Sequence, residues 1–250
     1  MAKRTGVDEF KLIGLLWRES PASARSGIST QSITALAVEL ADSEALDAVT
    51  IRRLAQEAGV TAMALYPHIG GRAELVELML DRVAGSTYEA IALPADADWR
   101  AHITAIAEAN WASCRAHPWI TDLTPGRPVP GPGTSAKYET ELRALDGIGL
   151  TDMEMEHTLT ALLSLVQGTA RAALAGQASR QPGENDDADW WANIEPALTA
   201  AIGDAARFPT ASRVSRALGE ATGKANDPEG AYQRGVGLFL DGIAQQIDQP

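Results

Sequence analysis

One cysteine, Cys114, stands in 250 residues, so an internal disulfide and a cysteine-rich metal cluster are both excluded. Long apolar runs are also lacking. The longest, such as 160–166, fall far short of the roughly 20 residues that cross a bilayer, and no apolar region follows the opening Met1-Ala-Lys-Arg4 as in a secretory signal. Membrane insertion is therefore excluded and a cytoplasmic location expected. Repeats and low-complexity tracts are missing, which removes fibrous, collagen-like and solenoid folds. No glycine-rich phosphate loop, Gly-x-Ser-x-Gly elbow or nucleophile-base pair of recognisable spacing occurs, so no catalytic residue, enzyme activity or cofactor is expected.

What is present is 45% hydrophobic residues, enough for a core, and a charge that is unevenly placed. Residues 1–72 carry eight Lys/Arg and eight Asp/Glu, and the whole formal net of −12 lies in 73–250. An acidic body repels a polyanion, while the neutral N-terminal part holds Lys3, Arg4, Lys11, Arg18, Arg25, Arg52, Arg53 and Arg72 to face one. Alternating β-branched runs are scarce, alanine is abundant, and apolar residues recur at spacings of three and four, so nine or ten helices are expected. A mobile leader (1–27) precedes three short helices (28–72). Ser29 caps the first, Thr50 the second, and Gly59 turns the chain into a third that begins near Thr61. A longer fourth helix, about 72–90, bridges to a second unit, 73–250, whose Pro/Gly-rich loop 125–133 is a surface excursion or a pocket rim.

Residues 50–69 have helix-turn-helix spacing, with Leu54, Ala55, Val60 and Leu65 gluing the pair so that the second helix can enter a major groove. The string Ala55-Gln-Glu-Ala-Gly-Val60, then Leu65-Tyr-Pro-His-Ile-Gly-Gly-Arg-Ala-Glu-Leu75, preceded by Leu40-Ala-Asp-Ser-Glu-Ala-Leu46, resembles the N-terminal domain of the tetracycline-repressor (TetR) family of bacterial transcriptional regulators. The segments His117-Pro118-Trp119, Gly147-Ile-Gly-Leu150, Phe208-Pro209 and Gly235-Val-Gly-Leu-Phe-Leu-Asp-Gly-Ile243 resemble its C-terminal domain more loosely. The resemblance implies an all-α fold. A three-helix helix-turn-helix DNA-binding domain would be joined by a long helix to a helical ligand-binding and dimerisation domain.

It also implies roles. Thr50, Ile51 and Arg52 fall where relatives touch phosphates and sometimes a base edge, with Arg52 suited to guanine; Thr61, Ala62, Met63 and Ala64 fall where they face bases; Tyr66, His68 and Arg72 fall where they hold the backbone. Ala62 and Ala64 offer no hydrogen bonds, so readout rests on Arg52, apolar contacts such as Met63 to thymine methyls, and DNA shape. Pro67 is expected to end the recognition helix. Trp111, His117, Trp119 and His157 are the expected effector contacts. The family's namesake binds its drug as a magnesium chelate, but His102, His117 and His157 are far apart in sequence and do not match its histidines, so no metal is expected.

Two long stripes, Leu159, Leu162, Leu163, Val166 and Ala170 in one helix and Val236, Phe239 and Ile243 in the last, correspond to the helices through which relatives pair as a four-helix bundle. The expected protein is a homodimeric, ligand-responsive repressor of a palindromic double-stranded DNA operator, released by a small, largely apolar effector. The alternative is a small-molecule-binding protein with little DNA affinity.

Overall fold

The structure, a computed structural model, describes residues 7–18, 28–89, 98–123, 127–178, 187–203 and 207–247. Among them are eleven α-helices and no strand. They are α1 (Glu9–Leu16), α2 (Thr30–Glu44), α3 (Ile51–Glu57), α4 (Ala62–Ile69), α5 (Arg72–Ser86), α6 (Trp99–Ala116), α7 (Pro132–Arg143), α8 (Asp152–Ala178), α9 (Asp187–Ile202), α10 (Pro209–Thr222) and α11 (Pro228–Ile247). The starts have local causes. The Ser29 hydroxyl accepts from the Ser32 amide at 3.0 Å while Ser32 Oγ accepts from the Ser29 amide at 2.9 Å, a capping box that opens α2. The Thr50 hydroxyl accepts from the Arg53 amide at 3.1 Å to open α3, and Gly59 takes the left-handed φ of 67° that the turn into α4 demands.

Two apolar cores organise the chain. The first collects Leu12 and Leu15 of α1, Ile33, Ala37 and Leu40 of α2, Leu54 of α3, Leu65 and Ile69 of α4, and Leu75 and Met79 of α5. The second joins Ile103 and Ile106 of α6, Leu159, Leu162 and Val166 of α8, and Val236, Leu240 and Ile243 of α11. At about 1.5–3 kcal/mol for each large apolar side chain withdrawn from water, each set outweighs any polar contact described below. In contrast, α9 and α10 bury none of their described side chains; Trp190, Ile194, Leu198 and Val214 are exposed, and Trp191 meets α10 at Gly219.

Four expectations are corrected. Part of the expected mobile leader is ordered: α1 sits inside it, because Leu12 and Leu15 bury one face in the first core while Trp17 Nε1 donates to the Pro130 carbonyl at 2.8 Å. Next, the first core does not end at residue 72. It takes in α5 as far as Val83, and Trp119 from the 3-10 turn Pro118–Asp122. In addition, α5 ends at Ser86 rather than near 90. Finally, Pro67 lies within α4, which continues to Ile69. The donor it lacks would reach the carbonyl of Met63, a residue exposed to water, and the Gly70 amide still closes the helix on the Tyr66 carbonyl at 2.9 Å.

Candidate nucleic-acid interface and effector region

Helices α3 and α4 pack through Leu54 and Leu65, both without exposed surface, and the Val60 amide returns to the Ala55 carbonyl at 2.9 Å. With the inner face so fixed, the outer face of α4 carries Thr61, Met63 (74% exposed) and Tyr66 (42% exposed), with Ala62, Ala64 and His68 half-buried beside them. Thr50 and Arg52 are exposed at the start of α3 and Ile51 is half-buried. Arg52 has no side-chain partner among the described residues, whereas its neighbour Arg53 is held by Glu44 at 3.0 Å and Glu57 at 2.9 Å. The ten residues expected at DNA thus lie on α3, α4 and the first turn of α5.

Two of them have structural engagements that their spacing did not reveal. Arg72 donates from Nε to the Val49 carbonyl and from Nη2 to the Leu46 carbonyl, both at 3.1 Å, so it fastens the 3-10 turn Leu46–Ala48 that precedes α3. The His68 carbonyl accepts from the buried Thr30 hydroxyl at 2.8 Å, which ties the end of α4 to the start of α2. Thr30 was invisible as an anchor because its partner is 38 residues away.

The four residues expected at an effector are not gathered in one cavity. His157 is exposed on α8, and Trp111 stacks on Tyr232 with ring centroids 4.3 Å apart. His117 and Trp119 turn toward α2 instead: His117 Nδ1 lies 2.9 Å from Asp42 Oδ1, and Trp119 Nε1 donates to the same oxygen at 2.7 Å. Asp42 is therefore a polar latch between the helix-turn-helix unit and the corner after α6. Of the four, His117 alone lines a cleft of about 530 Å³ between α1, α2, α5 and the start of α7.

Two further polar groups went unnoticed in the sequence. Glu141 on α7 is 2% exposed and accepts from Tyr88 Oη at 2.6 Å, Asn110 Nδ2 at 2.9 Å and Lys137 Nζ. Burial, then the adjoining carboxylate, push the Tyr88 phenol well above its ordinary range. Asp81 on α5 accepts from the amides of Gly133 at 3.1 Å and Thr134 at 2.8 Å, capping the first turn of α7 with a negative charge. A Cβ on Gly133 would stand 2.1 Å from the Asp81 carbonyl oxygen, so this approach requires glycine. The one available signal was Asn110, a polar residue inside the apolar stripe Ile103, Ile106, Ala107, Cys114.

The expected dimer stripe is largely consumed within the chain. Leu159, Leu162, Val166, Ala170, Val236 and Ile243 are buried, and Leu163 and Phe239 are partly buried against the second core. Gly235 admits Leu165, whereas Gly168 and Gly242 have open space where a side chain would stand, and Leu238, one turn before Gly242, is 53% exposed. Among the described residues no group of His, Cys, Asp and Glu could hold a metal ion, and no helix is long and apolar enough to cross a membrane.

Comparison with known proteins matches this architecture. The family described as "Bacterial regulatory proteins, tetR family" matches residues 33–79, and "Tetracyclin repressor-like, C-terminal domain" matches 93–247. The HTH-type transcriptional repressor DrrR1 of Streptomyces coeruleorubidus is 31% identical over 211 residues, which are 83% of this chain and 77% of that protein. Apo ActR from Streptomyces coelicolor superposes with a TM-score of 0.70 at 23% identity, covering 88% of this chain and 96% of ActR. ActR in complex with actinorhodin superposes with a TM-score of 0.69 at 23% identity, covering 89% and 99%.

Proposed function

The chain belongs to the tetR family of bacterial regulatory proteins, and from that membership we propose that it is a repressor which occupies a palindromic operator as a homodimer and is released by a small, largely apolar effector. Membership makes it a transcriptional regulator rather than an enzyme. The observation that carries the proposal is the outward face of α4, where Met63 and Tyr66 project, beside an Arg52 that has no other side-chain partner among the described residues. A guanidinium held ready on a helix start, next to a projecting methionine and tyrosine, suits a base edge, a thymine methyl and a phosphate in turn. The ligand-bound state of ActR supports the effector.

A second copy would pair along the outward faces of α8 and α11, at Gly168, Gly242 and Leu238, since the inward faces serve the monomer. Two recognition helices would then stand about one DNA turn, roughly 34–36 Å, apart. An effector shifts such a protein off DNA only by binding the unfitted conformation more tightly. Helix α5 is the lever: its first residue fastens the turn before α3 through Arg72, and Asp81, seven residues beyond Glu74, caps α7.

Fluorescence anisotropy on DNA flanking the gene, at two salt concentrations, tests the proposal. Tight, salt-sensitive binding is expected, weakened about 10- to 100-fold by Arg52→Ala, a cost of roughly 1–3 kcal/mol, and less by Tyr66→Ala. Affinity no better than for random DNA, or an Arg52→Ala protein that binds as well as wild type, would overturn it.

A further inference from the structure

A cleft opens between the two units. Its 530 Å³ fall within the range of small-molecule sites, and its walls come from both halves of the chain: Leu15 of α1, Val38 of α2, Leu78 and Val83 of α5, then His117 and Gly133 from the second unit. The four aliphatic groups make an apolar floor, each buried from solvent. Around it stand four carboxylates, Glu39, Asp42, Asp81 and Glu89, against two guanidinium groups, Arg18 and Arg82. Asp81 spends its oxygens on the α7 amides and Asp42 on His117 and Trp119. Glu39 and Glu89 are exposed and have no side-chain partner among the described residues. The chain as a whole adds no counterweight, since its formal net charge is −12.

We infer that this interdomain cleft binds an amphiphilic cation, a molecule with an apolar body and one ammonium group, at the junction of α1, α2, α5 and α7. The apolar body fills the floor, and the ammonium group lies among the carboxylates of the rim, with Glu39 and Glu89 free to receive it. An anion of the same shape meets an excess of negative charge and is disfavoured. The consequence for DNA rests on the regulator reading above. A ligand that touches α2 beside Asp42 and the corner after α6 at His117 contacts both partners of the latch at once, so its affinity depends on how the two units are set against each other, which is the condition for coupling.

The test is a titration of dansylcadaverine, an apolar ring system carrying a primary amine, into the full chain without DNA, read by dansyl fluorescence. The anionic 8-anilinonaphthalene-1-sulfonate serves as the charge-reversed probe. Saturable dansylcadaverine binding is expected, weakened tenfold or more in E39Q/E89Q and lost in A35F, which puts a ring into the cleft from α2. The sulfonate should bind no less well to E39Q/E89Q than to wild type. Both glutamates are exposed, so that variant keeps its fold and decides the matter even where A35F does not. Absence of saturable amine binding to wild type, or equal affinity in E39Q/E89Q, overturns the inference. A parallel titration on labelled operator DNA separates the two proposals. Protein that binds DNA but not the amine refutes the cleft alone, and protein that binds the amine through these residues but never DNA refutes the regulator reading.

Discussion

Two regions of this chain are built on different terms. The first is closed mainly by aliphatic side chains, with Glu74 and Glu77 of α5 buried beside them and polar ties running from Thr30 to His68 and from Arg72 to Val49. The region where α5, α6 and α7 meet instead encloses a carboxylate, Glu141, with a phenol, an amide and an ammonium group around it. Apolar packing is insensitive to small displacements of direction, whereas a buried charge has one arrangement in which every donor is satisfied. A reading head needs a constant shape, and the joint behind it needs a defined setting. The chain puts each kind of interaction where that demand arises.

The largest effect should come from breaking the second arrangement. Glu141→Ala leaves the Lys137 ammonium without its acceptor and should cost about 3–5 kcal/mol in urea unfolding. Replacing the pair together, Lys137→Met with Glu141→Leu, should restore much of that loss, because the penalty belongs to the orphaned charge. A double variant as unstable as the single one would show that the network itself holds the helices. Leu65→Ala is the counterpart in the first core. Its fully enclosed side chain leaves a cavity worth about 2–5 kcal/mol, and no second substitution in the polar margin should relieve it.

The smallest and most diagnostic effect concerns Tyr88. Its folded-state pKa lies above the unfolded value of about 10, so the neutral phenol contributes stability that is fully present below pH 10 and is lost as the pH rises toward the folded value. Tyr88→Phe should cost about 1–3 kcal/mol at neutral pH, since Glu141 loses a donor, and should flatten the alkaline decline of stability. The decline should shrink rather than vanish, because burial pushes Tyr232 up to about 12 and it titrates in the same range. An unchanged alkaline slope in thermal melts would remove Tyr88 from this account.

Local signals account for what could be read in the chain beforehand. Ser29, Thr50 and Gly59 act on their immediate neighbours, so the helix-turn-helix follows from spacing, while the residues on its outer face follow from the resemblance to the tetracycline-repressor family. Helix α1 did not, because its buried face within the first eight-residue helix amounts to Leu12 and Leu15, too few for a period. The acids Glu74, Asp81 and Glu141 read as surface charge, since donors that make their burial tolerable, the amides of Asp8, Gly133 and Thr134 and the Tyr88 phenol, lie far along the chain. His117 and Trp119 are expected at an effector, but their partner Asp42 precedes them by 75 and 77 residues, and no pattern along the chain encodes that meeting.

The same separations have a consequence in time. Helix α1 and Asp42 leave the ribosome early, yet Trp17 waits 113 residues for Pro130, Glu9 waits 118 for Arg127, and Asp42 waits for the corner after α6. At about 5–20 residues per second, the first of those waits lasts roughly 6–23 s. Between the synthesis of Val83 and that of Trp119 the nascent helix-turn-helix unit has every buried aliphatic member of its core but not the tryptophan. Its assembly is completed from the other half of the protein, so a fragment cut after α5 would carry the reading helix on an unfinished support.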